Sequence, residues 1–277
     1  MATVFVTKFD GTRQSYEREK VIRTCIKLHA TKELAENAAD KVESRLYNGI
    51  PTREILRMIY RYLAEDRPQT KYELDLRHAI CLLRSKPDFE QYVSRLLATC
   101  GYNVVGPQII RGRCVEHEID DVARKDNETV YVEVKHHSFP HTFTGLDIFL
   151  QARATFEDLV NGYEAGYNKI PFNKPMVICN TKLSDHAKRY ASCAQIDHIS
   201  WQSPQENSLE KLIEEKQLYP VTVMKALDSE TQAKLGDAGI ILLQELIESD
   251  PAKLSEMTKI PKDKIKKLIQ RAAEIAK

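Results

Sequence analysis

The sequence predicts a multidomain α/β protein. It divides into a small hairpin-plus-helices domain over residues 1–86, an α/β core with a mixed sheet over 87–204, and an all-α tail over 205–277. Three observations carry this. Asp10-Gly11 marks a tight turn between two short extended runs, and helical periodicity follows it. The middle of the chain alternates β-rich runs with helical patterns. Beyond Gln205 the patterns are helical throughout, cut short by Gly236, Gly239, Pro251 and Pro261.

Taken in order, Val4 and Val6 alternate ahead of the turn. Two helical patterns follow, one through Val21, Ile22, Cys25 and Leu28, the next through Leu34, Ala35, Ala38 and Val42. A third helix opens at Thr52, an N-cap residue type, and a fourth follows Pro68. In the core, a helix is expected over about 88–99, ended by Cys100-Gly101. Strands are expected over 102–105, 115–123 and 130–135, the last two joined by the polar turn Lys125-Asp126-Asn127-Glu128. A helix over about 144–161, a buried strand over 176–179, a helix from Ser184 and a strand over 196–201 complete the core. Pro204-Gln205-Glu206-Asn207-Ser208 is the expected linker to the tail.

Composition narrows the function by exclusion. Lys plus Arg number 41 against 40 Asp plus Glu, so any surface for nucleic acid must be local. No apolar run approaches the roughly 20 residues that span a bilayer, and Met1 to Val6 has no basic segment before an apolar stretch. Neither a membrane partner nor a secretory signal is expected. Cys25, Cys81, Cys100, Cys114, Cys179 and Cys193 show no Cys-x-x-Cys spacing. They read as reduced thiols of a soluble, cytoplasmic protein rather than a zinc ribbon.

The chemistry gathers at Asp120 and at Val132-Glu133-Val134-Lys135. Along a strand, Glu133 and Lys135 share one face while Val132 and Val134 share the other, and the hairpin brings Asp120 alongside. Charges on otherwise apolar strands are costly unless paired or bound to a metal. Two carboxylates suit Mg²⁺, a hard cation that prefers oxygen. The other reading of these residues is a cross-strand salt bridge. Nearby, His117, His136, His137 and His141 lack zinc-site spacing, since adjacent His136 and His137 would face opposite ways. Phosphate or solvent contacts are expected of them, with His117 packed.

This pattern resembles the Asp…Glu-x-Lys signature of the PD-(D/E)xK nucleases, above all the Mrr-like and Holliday-junction-resolvase-like branches. The resemblance implies a restriction-endonuclease-like core and metal-dependent hydrolysis of DNA phosphodiesters. Asp120, Glu133 and the Val134 carbonyl would hold Mg²⁺ or Mn²⁺, and Lys135 would steady developing charge. It also implies a glutamate on the preceding helix, which Glu90 supplies, and a polar residue on the following helix, for which Gln151 is a loose match.

At the amino end, Val6, Lys8, Asp10, Gly11, Tyr16 and Lys20 fill a pattern that resembles an ATP-cone, over about 85 residues and including Tyr72. The residues agree with the implied role. Lys8, Arg13, Lys20 and Arg23 could converge on a triphosphate, and Gly11 permits close backbone approach. With no Walker loop, ATP, ADP, AMP or dATP would be sensed rather than hydrolysed. Such cones also imply a homodimer or a nucleotide-dependent oligomer.

Leu235-Gly236-Asp237-Ala238-Gly239-Ile240 and Ile260-Pro261, with the helices after them, resemble the helix-hairpin-helix domain of RecA-family recombinases. Such hairpins hold the DNA backbone through main-chain N–H groups. Lys253, Lys259, Lys262, Lys264, Lys266, Lys267, Arg271 and Lys277 enrich this end in positive charge. Lys259 stands where the hairpin glycine is expected, which leaves protein binding open beside DNA binding. The expected function is a DNA endonuclease regulated by adenine nucleotide; the alternatives are a non-catalytic, nucleotide-responsive DNA-binding regulator and an RNA-processing nuclease.

Overall fold

The computed structural model describes residues 3–28, 30–66, 75–225 and 227–276. The fold is mixed α/β, and the chain divides into two compact units, residues 1–73 and 74–277.

In the first unit, strands β1 (Phe5–Thr7) and β2 (Arg13–Ser15) form the expected hairpin, and β3 (Ile50–Pro51) adds in parallel to β1. Gly11 turns the hairpin at φ +79°. Helices α1 (Arg18–Lys27), α2 (Lys32–Glu43) and α3 (Thr52–Asp66) close over it. The Thr31 hydroxyl caps α2 by accepting from the Leu34 N–H. Val6, Val21, Cys25, Ala35, Val42, Ile50, Ile59 and Leu63 build the core.

The second unit begins with α4 (Leu76–Cys81) and α5 (Glu90–Thr99). Strands β4 (Asn103–Val105), β5 (Gln108–Arg111), β6 (Glu116–Ile119), β7 (Asp121–Lys125), β8 (Glu128–Lys135) and β9 (Phe143–Thr144) follow. Then come α6 (Leu146–Glu164), β10 (Lys174–Cys179), β11 (Lys182–Leu183), α7 (Asp185–Cys193) and β12 (Asp197–Ile199). The five-stranded sheet runs β12-β10-β8-β7-β4, with parallel pairs on the β10 side and antiparallel pairs around β7. The strand expected over 115–123 breaks at Asp120. Its first half pairs with β5 and its second with β4 and β8, so the chain must bend between two sheets.

Period two sorts the sheet residues by face. Ala123, Val130, Val132 and Ile178 pack with Tyr92, Val93, Leu96 and Leu97 of α5. Val122, Tyr131, Val177 and Cys179 pack with Phe149 and Leu159 of α6 and with Ala187 and Ala191 of α7.

Helices α8 (Leu209–Lys216), α9 (Ser229–Asp237), α10 (Leu243–Glu248), α11 (Pro251–Thr258) and α12 (Lys262–Ile275) end the chain. They join the same unit directly. Leu209, Leu212 and Ile213 share a core with Trp201 and α5, and the Leu209 N–H donates to the Ser200 carbonyl at 2.9 Å across the expected linker. α4, expected in the amino-terminal domain, packs here too. Ile80 and Cys81 join that core, while Ala79 packs with Val221 and Leu243 and accepts from the Thr222 hydroxyl at 2.7 Å.

Candidate active site

The break between β6 and β7 positions the central carboxylate. Asp121 pairs with Val132, which sets Asp120 beside Glu133 and Val134. The Val134 N–H donates to Asp120 Oδ2 at 2.8 Å. Glu90, in the first turn of α5, reaches the same place and shares a hydrogen bond with the Asp120 carboxyl. Glu90 and Asp120 are each only 8% exposed. On β8, Glu133 accepts from the Tyr131 hydroxyl at 2.6 Å, and Lys135 lies close enough to favour the ionised form of Glu133.

Three residues outside the sequence expectation complete this cluster. Lys86 Nζ lies 3.1 Å from Glu90 Oε1, 2.8 Å from Glu118 Oε1 and 3.8 Å from Asp120 Oδ1. Asp121 points to the α5 side, where Ser94 Oγ lies 2.9 Å from both its oxygens. The Lys86–Glu90 spacing of four hints at a helical pair, but Lys86 has extended backbone (φ −126°, ψ 136°), so the contact comes from tertiary structure.

Burial dominates the electrostatics of the cluster. Burial lifts Glu90, Asp120 and Glu133 above their ordinary values, and it pushes Asp121 up to about 7. Among the described residues no three His, Cys, Asp or Glu side chains are already drawn round a common point. The donors nevertheless fit a hard divalent cation. They are carboxylate oxygens, they are largely buried, and the local lysines leave their charge under-compensated.

Gln151 is exposed on α6, and the hydrogen bonds of the cluster described above do not include it. On the same helix, Thr155 hydrogen-bonds the Tyr131 hydroxyl. Three of the histidines make hydrogen bonds within the fold. His136 places its ring nitrogens 3.1 Å from Ser85 Oγ and from the Ile80 carbonyl, and its ring lies against Phe89. His137 bonds Asn180 and Thr144, and His117 pairs with Asp158 at 2.8 Å.

A restriction endonuclease (Mrr catalytic) family matches residues 84–202, an ATP cone domain matches 4–85, and an AF1548-like C-terminal domain matches 219–276. An uncharacterised protein of Archaeoglobus fulgidus is 34% identical over 165 residues, 60% of this chain and 89% of that protein. The crystal structure of AF1548, a protein of unknown function, aligns with TM-score 0.59 at 32% identity, covering 68% of this chain and 96% of that one. The chain belongs to the AF1548-like family. It carries a restriction-endonuclease-like domain of the Mrr type behind an ATP cone.

In the ATP cone of this AF1548-like chain, the hairpin carries Lys8, Asp10, Gly11 and Arg13, while α1 carries Lys20 and Arg23. Asp10 accepts from the Thr12 N–H and hydroxyl, which lowers its pKa and shapes the turn. Lys20 binds Glu17 at 2.8 Å, and Arg23 Nε donates to the Glu19 carbonyl. Tyr72 lies outside the described residues. In the AF1548-like C-terminal domain, Lys259 ends α11 in the left-handed region at φ +57°, so lysine supplies the turn for which glycine is expected. Among the described residues no helix is long and apolar enough to cross a membrane.

Proposed function

We propose that this protein is a metal-dependent DNA endonuclease whose cutting is tuned by an adenine nucleotide at the ATP cone. The observation that carries this is the meeting of Glu90, Asp120, Glu133 and Lys135 at the end of β8, with the Val134 N–H fixing Asp120.

Asp120, Glu133 and the Val134 carbonyl would hold Mg²⁺ or Mn²⁺, which when bound polarises a phosphate oxygen and acidifies water. The protein's own residues prepare the rest. The Val134 amide and Tyr131 hydroxyl hold the two carboxylates in fixed orientations, so little reorganisation is needed. Glu90 lies against the Asp120 carboxyl, where burial raises its pKa and Lys86 lowers it. Lys135 faces the same side as Glu133 and stabilises negative charge building on the phosphate. Gln151, exposed on α6, would contact the DNA rather than the carboxylates. The basic residues of α12 would hold the DNA backbone, helix-hairpin-helix fashion, and a homodimer would present two sites to two strands.

Supercoiled plasmid with Mg²⁺ or Mn²⁺ tests this. Wild type should nick it, Glu133→Ala should not, and ATP, ADP, AMP or dATP should change the rate and bind by calorimetry. Absence of nicking with either metal, or equal nicking by Glu133→Ala, defeats the enzyme reading. DNA binding without nicking would leave the regulator reading in its place.

A further inference from the structure

Lys86 is an unusual neighbour for a cation site. Its ammonium pairs with Glu90 and Glu118 and stands 3.8 Å from Asp120, and its side chain is 58% exposed while those of Glu90 and Asp120 are 11% exposed. From behind, the Val134 N–H and the sheet enclose Asp120. Lys86 therefore covers the solvent-facing side of two buried carboxylates. A lysine ammonium brings one charge and three donors on a flexible stem, whereas Mg²⁺ or Mn²⁺ brings two charges and binds several oxygens at once. Both are drawn by the negative charge of the same group of carboxylates. Retreat of Lys86 is open, because Glu118, its nearest partner, is itself 66% exposed and can keep the ammonium in the solvent layer.

We propose that Lys86 is a built-in stand-in for the divalent cation: its ammonium supplies positive charge beside Asp120 and Glu90, gives way when a metal binds, and so sets the metal affinity of the site. This rests on the endonuclease reading above. Lys86 acts as a positioning residue, its ammonium set 3.1 Å from Glu90 and 3.8 Å from Asp120.

The full-length protein tests it in two ways. Calorimetric titration with Mn²⁺ should show Lys86→Gln binding tighter than wild type by on the order of tenfold (~1.4 kcal/mol). Lys86→Arg should bind equally or more weakly, since its fork holds carboxylates at least as well. Mass-spectrometric mapping with an amine-reactive reagent should show Lys86 of the wild type labelling faster with Mn²⁺ than without. Equal Mn²⁺ affinity in wild type and Lys86→Gln, or labelling of Lys86 unchanged by a metal that demonstrably binds, overturns the proposal while sparing the enzyme reading. No Mn²⁺ binding by any variant overturns both.

Discussion

At the scale of single residues, Tyr131 acts on the site without entering the acidic cluster. Its hydroxyl holds Glu133 at 2.6 Å from within the core against Phe172. Tyr131→Phe should lower nicking several-fold while costing about 1 kcal/mol of stability, read by urea denaturation beside the plasmid assay. His198 offers a pH test away from the site. Burial holds it below its ordinary 6.5, with Ser203 Oγ 2.8 Å from Nε2 and Phe149 against the ring. Below 6.5 the unfolded chain then binds more protons than the native one, so its contribution is full above that pH and lost as pH falls. Urea denaturation should show a cost of His198→Gln that is larger at about pH 8 than at about pH 5. Asp120, Glu133 and Lys135 were legible because a strand repeats every two residues and charges on an apolar strand stand out. Lys86 and Glu118 were not, because each arrives on a segment whose direction only the tertiary fold decides.

At the scale of elements, periodicity and punctuation revealed most of the core. α5 after the 80s, the β7–β8 hairpin with its polar turn, the long α6 and the buried β10 all stand where the pattern put them. What escaped was β5, whose Gln108–Arg111 run pairs only with the first half of the broken strand, and the packing of α8, whose polar approach resembled a linker. The turns of the tail are testable singly. Lys259 holds a left-handed backbone that disfavours a side chain. Lys259→Gly should therefore stabilise the protein by roughly 1 kcal/mol, seen as a raised melting temperature. Gly236 of α9 lies flush against the segment that carries Lys86 and Glu90. A Cβ there would stand 2.4 Å from Asp88 Oδ1 and 2.7 Å from Arg84 Nη2. Arg84 bonds Asp88 at 2.6 Å and Asp237 at 2.8 Å, so the contact must give way. Gly236→Ala should cost about 1–3 kcal/mol by denaturation and should slow nicking, though it lies outside the cluster.

At the scale of the whole molecule, the second unit is one folded body. Its sheet, α4 and the AF1548-like C-terminal domain share apolar cores, and Tyr92 donates from α5 to the Leu218 carbonyl at 2.8 Å. Arg95 adds bonds to Glu245 and to the Gly239 carbonyl. Ending the chain after Ser203 removes Leu209, Leu212, Ile213 and Leu218 from that core, and the remainder should lose its cooperative urea transition. A chain beginning at residue 75 should retain that transition. Retention after the first truncation would show that the tail only leans on the sheet. Shared cores also bear on inheritance. A genetic crossover near residue 74 would fall between two apolar interiors, that of β1 to α3 and that of α4 onward. A crossover between residues 84 and 242 would pair half a core with a stranger's half. The unit from α4 to α12 should therefore descend as one block, and the unit before it should be the part free to change.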